Sequence, residues 1–327
     1  MPYGQNAGLA LAFQNSFGTA AAVGSLHHLP TLNTNIGLSQ DELISQNLNG
    51  RFDESDAASG RRRYGGQWEG EAQPQALGAL ITSVINDPTH VDSGAGLATY
   101  TWKPRTSDFD SNVAHRPVSF YKWLVEADSA AYFYDLVGTR LEFTISEGGF
   151  LLARTAYVGG KFSAVASQSL TAENTRRWPW NTTSLSLGGS ANANFRNLTI
   201  VHDEALEELF TLDGTLTTNR VKRRNPRTIR VNGTLVFENP TEFDNFMNET
   251  TQAFVLTLQN TAVAIQSGYY NTLKIDIPQF KWLQFNPPVS GPGPVEVSFT
   301  GKGEYKATSA TMVQYTLQNS WQTGYEA

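Results

Sequence analysis

Apolar and polar positions alternate with a period of two along much of the chain. Leu141, Phe143 and Ile145 alternate with Glu142, Thr144 and Ser146. Ile229, Val231, Gly233, Leu235 and Phe237 alternate mostly with polar residues, and Phe254, Leu256 and Leu258 repeat the pattern. Leu273, Ile275 and Ile277, then Val295, Val297 and Phe299, complete it. Successive side chains of a strand point to opposite faces, so each run predicts a half-buried β-strand. Turn-forming pairs at Gly148-Gly149, Gly159-Gly160 and Gly188-Gly189, and the run Gly291-Pro292-Gly293-Pro294, separate the runs. Many short strands between such turns predict a mainly β fold of the sandwich or barrel kind.

Helical spacing interrupts the alternation in three places. Ala76, Leu77, Leu80, Ile81 and Val84 follow Pro74, which suits a first helical position, and Asn86-Asp87-Pro88 ends the pattern. Asn239, Pro240 and Glu242 predict a capped helix whose buried stripe is Phe243, Phe246 and Met247. His202–Phe210, opening on Asp203-Glu204, is a third and shorter candidate.

The same order of features occurs twice. Arg63-Tyr64-Gly65-Gly66 leads through Gln67-Trp68-Glu69-Gly70-Glu71 to the helix at Pro74. Arg230-Val231-Asn232-Gly233 leads through Thr234-Leu235-Val236-Phe237-Glu238 to the helix at Pro240. An acidic turn, expected to be helical, precedes each (Asp41-Glu42-Leu43 and Asp203-Glu204-Ala205-Leu206), and an alternating strand pair follows each. We read an internal duplication. It implies an N-terminal arm at 1–24, a first β domain at 25–170 with an insertion near 102–133, a second at 171–310 and a C-terminal arm at 311–327. Residues 7–23 are fairly apolar but broken by Gln14, Asn15, Ser16 and Gly18, with no preceding Lys or Arg, so they fit an arm that docks on something better than a signal peptide or a span.

Composition narrows the function. The 327 residues are 40% hydrophobic and 17% charged, which suits a folded core. No cysteine is present, so disulfides, thiolate metal sites and cysteine nucleophiles are excluded. A net charge of −6 does not predict tight nucleic-acid binding. No nucleophile elbow, Walker loop or dinucleotide fingerprint occurs, and no pair of carboxylates stands out as acid and base, so no enzyme activity and no cofactor is expected. His27, His28, His90, His115 and His202 lack the spacing of a metal site. Asp108, Asp110 and Asn112 alternate like a fragment of a calcium loop but lack its closing glutamate, and read as a polar loop. The Asn-x-Ser/Thr triplets at Asn181, Asn197, Asn232 and Asn248 read as incidental.

In the order of its motifs the chain resembles the tail tube, or major tail, proteins of long-tailed bacteriophages. The resemblance covers most of 35–305. It is carried by Arg63–Glu71 with its proline-led helix, by Gly138–Leu152, by Asn197-Leu198-Thr199-Ile200, and by Val231–Leu235. It implies β domains with a flanking helix that form stacked rings whose sheets line a channel for DNA, from capsid to host, without specific binding. It implies assembly in the host cytoplasm, a place in the virion tail, and tape-measure, terminator and tip proteins as neighbours. Members usually carry one tube domain and form hexameric rings. Two domains per chain favour a trimer with pseudo-sixfold symmetry over a hexamer in which the second copy decorates. The basic loops Arg61, Arg62, Arg63 and Lys222, Arg223, Arg224, Arg227 are the candidate contacts between stacked rings. The rival reading is a carbohydrate-binding or adhesin-like β-sandwich, with Trp178 and Trp180 around Pro179 as a stacking platform.

Overall fold

A computed structural model describes residues 8–22, 26–44, 57–94, 96–106, 116–123, 130–165, 173–288, 294–322 and 324–325. The first half of the chain forms β1 (Gly8–Phe13), β2 (His27–Leu29), β3 (Asn33–Thr34), β4 (Gly37–Ile44), β5 (Ala57–Glu71), α1 (Pro74–Val84), β6 (Thr89–Asp92), β7 (Ala98–Trp102), β8 (Val118–Trp123), β9 (Ala130–Ser146) and β10 (Leu152–Val165). The second half forms β11 (Thr183–Leu187), β12 (Ser190–Ala191), β13 (Phe195–Asp203), β14 (Leu206–Leu209), β15 (Arg220–Arg223), β16 (Thr228–Val236), α2 (Thr241–Met247), β17 (Gln252–Gln266), β18 (Tyr269–Phe285), β19 (Glu296–Gly303) and β20 (Gln314–Asn319). The fold is mainly β, as the alternation predicts, and every ladder among the described residues is antiparallel.

In the N-terminal unit the strands lie in the order β2–β1–β8–β9–β10–β5, with β3 and β4 beside β5. In the C-terminal unit they lie in the order β12–β11–β17–β18–β19–β16–β13. The two orders run through the chain in the same way. β1 corresponds to β11, β8 to β17, β9 to β18, β10 to β19 and β5 to β16. A ladder between β9 and β13 joins the units edge to edge, Arg140 opposite Asp203 and Ser146 opposite Asn197. A second bridge runs from β18 through β20 to β7 and β6.

The helix α1 is buried on nearly all sides and fills the space between sheets, which explains its apolar sequence. Its first backbone N–H groups have no intrahelical acceptors. The Glu173 carboxylate supplies them, accepting from Gln75 N at 2.8 Å and Ala76 N at 2.7 Å. Burial pushes the Glu173 carboxyl up to about 7, against the downward pull of those two bonds. In contrast α2 is short and partly exposed; it begins at Thr241, whose N–H bonds to Asn239 Oδ1 at 3.0 Å.

Four expectations change. The acidic turns are not helical: Asp41–Leu43 lies in β4, and His202–Phe210 spans the end of β13 and the strand β14. Each begins a long β-hairpin, where cross-strand pairing outweighs local helical spacing. Residues 8–13 of the expected N-terminal arm are a sheet strand instead. Six residues of β1 pair with β8, and Leu9, Ala10, Leu11 and Ala12 are fully buried. The expected C-terminal arm likewise supplies β20, and Tyr325 beyond it is buried in the core. Finally, the region read as an insertion contains β8, which lies inside the sheet between β1 and β9.

Candidate assembly surfaces

The basic residues cluster on two hairpins, β4–β5 and β14–β15, that lie side by side. Arg61 Nε meets Asp41 Oδ2 at 3.1 Å, and Arg63 reaches Asp41 at 3.9 Å and Glu208 of the other hairpin at 3.7 Å. The guanidinium groups of Arg61 and Arg63 lie over the Phe210 ring at 5.5 and 5.9 Å. Arg62 donates from Nε to Gln40 Oε1 at 3.1 Å and from its backbone N–H to Leu216 O at 2.7 Å. Glu208 also accepts from Gly159 N at 2.7 Å, which pins the second hairpin to β10. The first basic cluster thus meets the second hairpin of its own chain.

The second basic cluster divides. Arg224 is exposed and pairs with Glu207 at 3.3 Å. Lys222 lies in β15, half-buried. Arg223 and Arg227 turn inward to Glu204, which is buried. Arg223 reaches Glu204 Oε2 at 2.5 Å and its backbone carbonyl at 2.7 Å, and Arg227 lies 3.4 Å from Oε1. His202 Nε2 bonds Glu204 Oε1 at 2.8 Å, and its Nδ1 bonds the Tyr315 hydroxyl of β20 at 3.0 Å. Burial alone would raise the Glu204 carboxyl. The bond and charge of His202, the charge of Arg227 and the bond from Arg223 outweigh it and hold the group at about 2. This network locks the base of the hairpin to the C-terminal strand.

A matched pair of contacts was missed by sequence reasoning. Asn35 Oδ1 accepts from the Gln67 backbone N–H at 2.5 Å, and Asn197 Oδ1 accepts from the Thr234 N–H at 3.0 Å. Each asparagine lies against the glycine before its partner. A Cβ on Gly66 would stand 2.7 Å from Asn35 O, and one on Gly233 would stand 2.4 Å from Asn197 O. Only glycine fits so close to a carbonyl. The signal was present in the sequence: each asparagine stands six residues before an Asp-Glu pair, Asn35 before Asp41-Glu42 and Asn197 before Asp203-Glu204. In the sequence Asn197 reads as part of a resemblance motif and of an incidental triplet, and no contact is assigned to Asn35.

The aromatic platform is not formed as a pair. Trp178 is fully buried with its indole N–H on Asn271 O at 3.0 Å, while Trp180 is exposed beside an open hollow of about 320 Å³. Asp108, Asp110 and Asn112 lie outside the described residues. No helix among the described residues is long and apolar enough to cross a membrane.

One edge stands out by its apolar exposure. β4 has a ladder to β5, and Leu38, Leu43 and Ile44 along it are exposed, as is Leu32 just before β3. A sheet edge with exposed apolar side chains is a pairing hazard unless something covers it. Comparison with curated proteins finds no match. A family model described as phage tail tube protein matches residues 4–303, and the chain belongs to that family.

Proposed function

We propose that three copies of this chain close a ring of six β units, and that such rings stack into a tube through which DNA passes without specific binding. Membership of the tail tube family makes the chain a structural protein of the virion tail. What supports the finer reading is the ladder between β9 and β13, which joins two sheets of like strand order edge to edge. A ring needs such a joint between every pair of neighbours, and closure removes the open edges. The shared strand order and the paired Asn35–Gly66 and Asn197–Gly233 contacts support reading the units as duplicated domains, of about 8–165 and 183–303.

Stacking between rings would fall to the two hairpins. Arg223 and Arg227 turn inward to Glu204, so the cations on the outer side of the hairpins are Arg61, Arg62, Arg63 and Arg224, each also held by a group of its own chain. Tape-measure, terminator and tip proteins would meet the ends of the tube.

Negative-stain electron microscopy and native mass spectrometry of the purified chain test this. Rings or tubes with a hole of about 20 Å plus clearance, the width of a DNA duplex, and a ring mass of three chains are expected. A ring of six chains would remove the pseudo-sixfold arrangement, and a stable monomer at high concentration would remove the tube reading.

A further inference from the structure

We infer that the outer edge of residues 35–41 is the ring-closing surface of the chain, and that it docks on the second unit of a neighbouring copy. This rests on the tube reading above and adds to it the residues that touch. The argument uses the joint inside the chain as a template for the joint between chains.

The two units make equivalent contacts at the joint. Asn35 matches Asn197 and Gly66 matches Gly233 through their equivalent contacts. Asp41 then matches Asp203, Leu38 matches Ile200 and Gln40 matches His202. In the C-terminal unit the strand holding these positions is covered on both sides, by β16 and by β9 of the other unit. In the N-terminal unit the matching stretch is paired, among the described residues, on one side, by β5. The consequence appears at single residues. Ile200 is 1% exposed, whereas Leu38 is 54% exposed. Ile36 and Leu198, two residues earlier on the same face, are both buried, so the difference between the units begins at Leu38. A heterologous joint of this kind closes into a ring when the same contact is repeated.

The surface that should cover Leu38 follows from the same correspondence. Gly66 and Gly233 stand opposite Tyr157 and Phe299, and these stand opposite Gly138 and Phe285. Gly138 therefore matches Phe285, and Leu141, which pairs with His202 inside the chain, matches Pro288 when counted along the chain through the bulge of β9 at Thr139. The neighbour's Pro288 should lie across from Gln40. Proline has no N–H to donate, so the joint between chains is expected to have fewer backbone bonds than the joint inside the chain and to rely more on covering Leu38.

The absence of cysteine from the chain allows a direct test. Chains carrying Gln40→Cys are mixed with chains carrying Pro288→Cys and oxidised under assembly conditions. Disulfide-linked pairs that contain one chain of each kind are expected, because cross-strand neighbours have Cα atoms within bridging distance. The double variant should give a covalent ladder ending at the ring. In parallel, Leu38→Asp should fold with the melting temperature of the unassembled parent chain, since Leu38 is exposed, while its assembly should require about tenfold more protein or fail. If the parent chain forms tubes, but the mixed cysteine chains do not cross-link and Leu38→Asp assembles normally, this inference is overturned and the tube reading stands. If the parent chain forms neither rings nor tubes, both fall.

Discussion

Deletion of residues 8–13 is expected to abolish cooperative folding. β1 is an interior strand, paired with β8 over six residues and with β2 on its other side. Its loss would strip Leu9 and Leu11 from the core, at about 2–3 kcal/mol each. It would also dismantle a buried polar cluster. Gln14, the residue that follows β1, donates to Asp135 Oδ1 at 2.9 Å and accepts from Asp135 N at 2.7 Å and Ser119 Oγ at 3.0 Å. Lys161 completes the cluster at 3.1 Å from Asp135. Once β1 no longer holds Gln14 in place, these buried groups lose their partners, at about 1–3 kcal/mol each. The sum approaches the whole stability of a typical domain, about 5–15 kcal/mol. Scanning calorimetry should show no transition for the shortened chain. A transition like that of the parent would place β1 outside the cooperative core and restore the reading of the segment as an arm.

The second large effect concerns Glu204. Replacing Glu204 with Gln leaves Arg223 and Arg227, both mostly buried, without their counter-charge. Removing one partner of such a network costs about 3–5 kcal/mol. Urea unfolding at neutral pH should show that loss, and a variant as stable as the parent would mean that the two guanidinium groups reach water freely. The pH dependence gives a second readout. The folded carboxyl titrates at about 2, below its ordinary 4.5, so its contribution is complete above pH 4.5 and disappears as the pH falls towards 2. The gap between parent and variant should therefore shrink by about 3 kcal/mol over that range. Glu173 acts with the opposite sign. Its folded carboxyl titrates at about 7, so the protein gains stability from it as the pH falls from 7 to 4.5. The difference between parent and Glu204→Gln cancels that contribution, which both chains share.

Much of the architecture follows from period. The runs at Leu141–Ile145, Phe254–Leu258 and Leu273–Ile277 lie wholly in strands, those at Ile229–Phe237 and Val295–Phe299 do so but for Phe237 and Val295 at their ends, and the two proline-led helices form where their spacing places them. These are local properties, because a side chain's face depends only on its own strand or helix. The acidic turns were misread for the complementary reason. Asp203-Glu204 resembles a helix start until Arg223 and Arg227, about twenty residues later, are known to close on Glu204.

The same boundary divides the candidate contacts. The sequence by itself determined the β class, both helices, the clusters of arginine and the order of motifs that leads to the tail tube family. Only the tertiary structure decided that β1 and β20 belong inside the sheets, that Arg223 and Arg227 turn inward, and that Leu38 is exposed where Ile200 is covered. Each of these depends on which strand lies next to which. Strand neighbours are chosen by contacts between residues far apart in the chain, and no pattern within one segment records them.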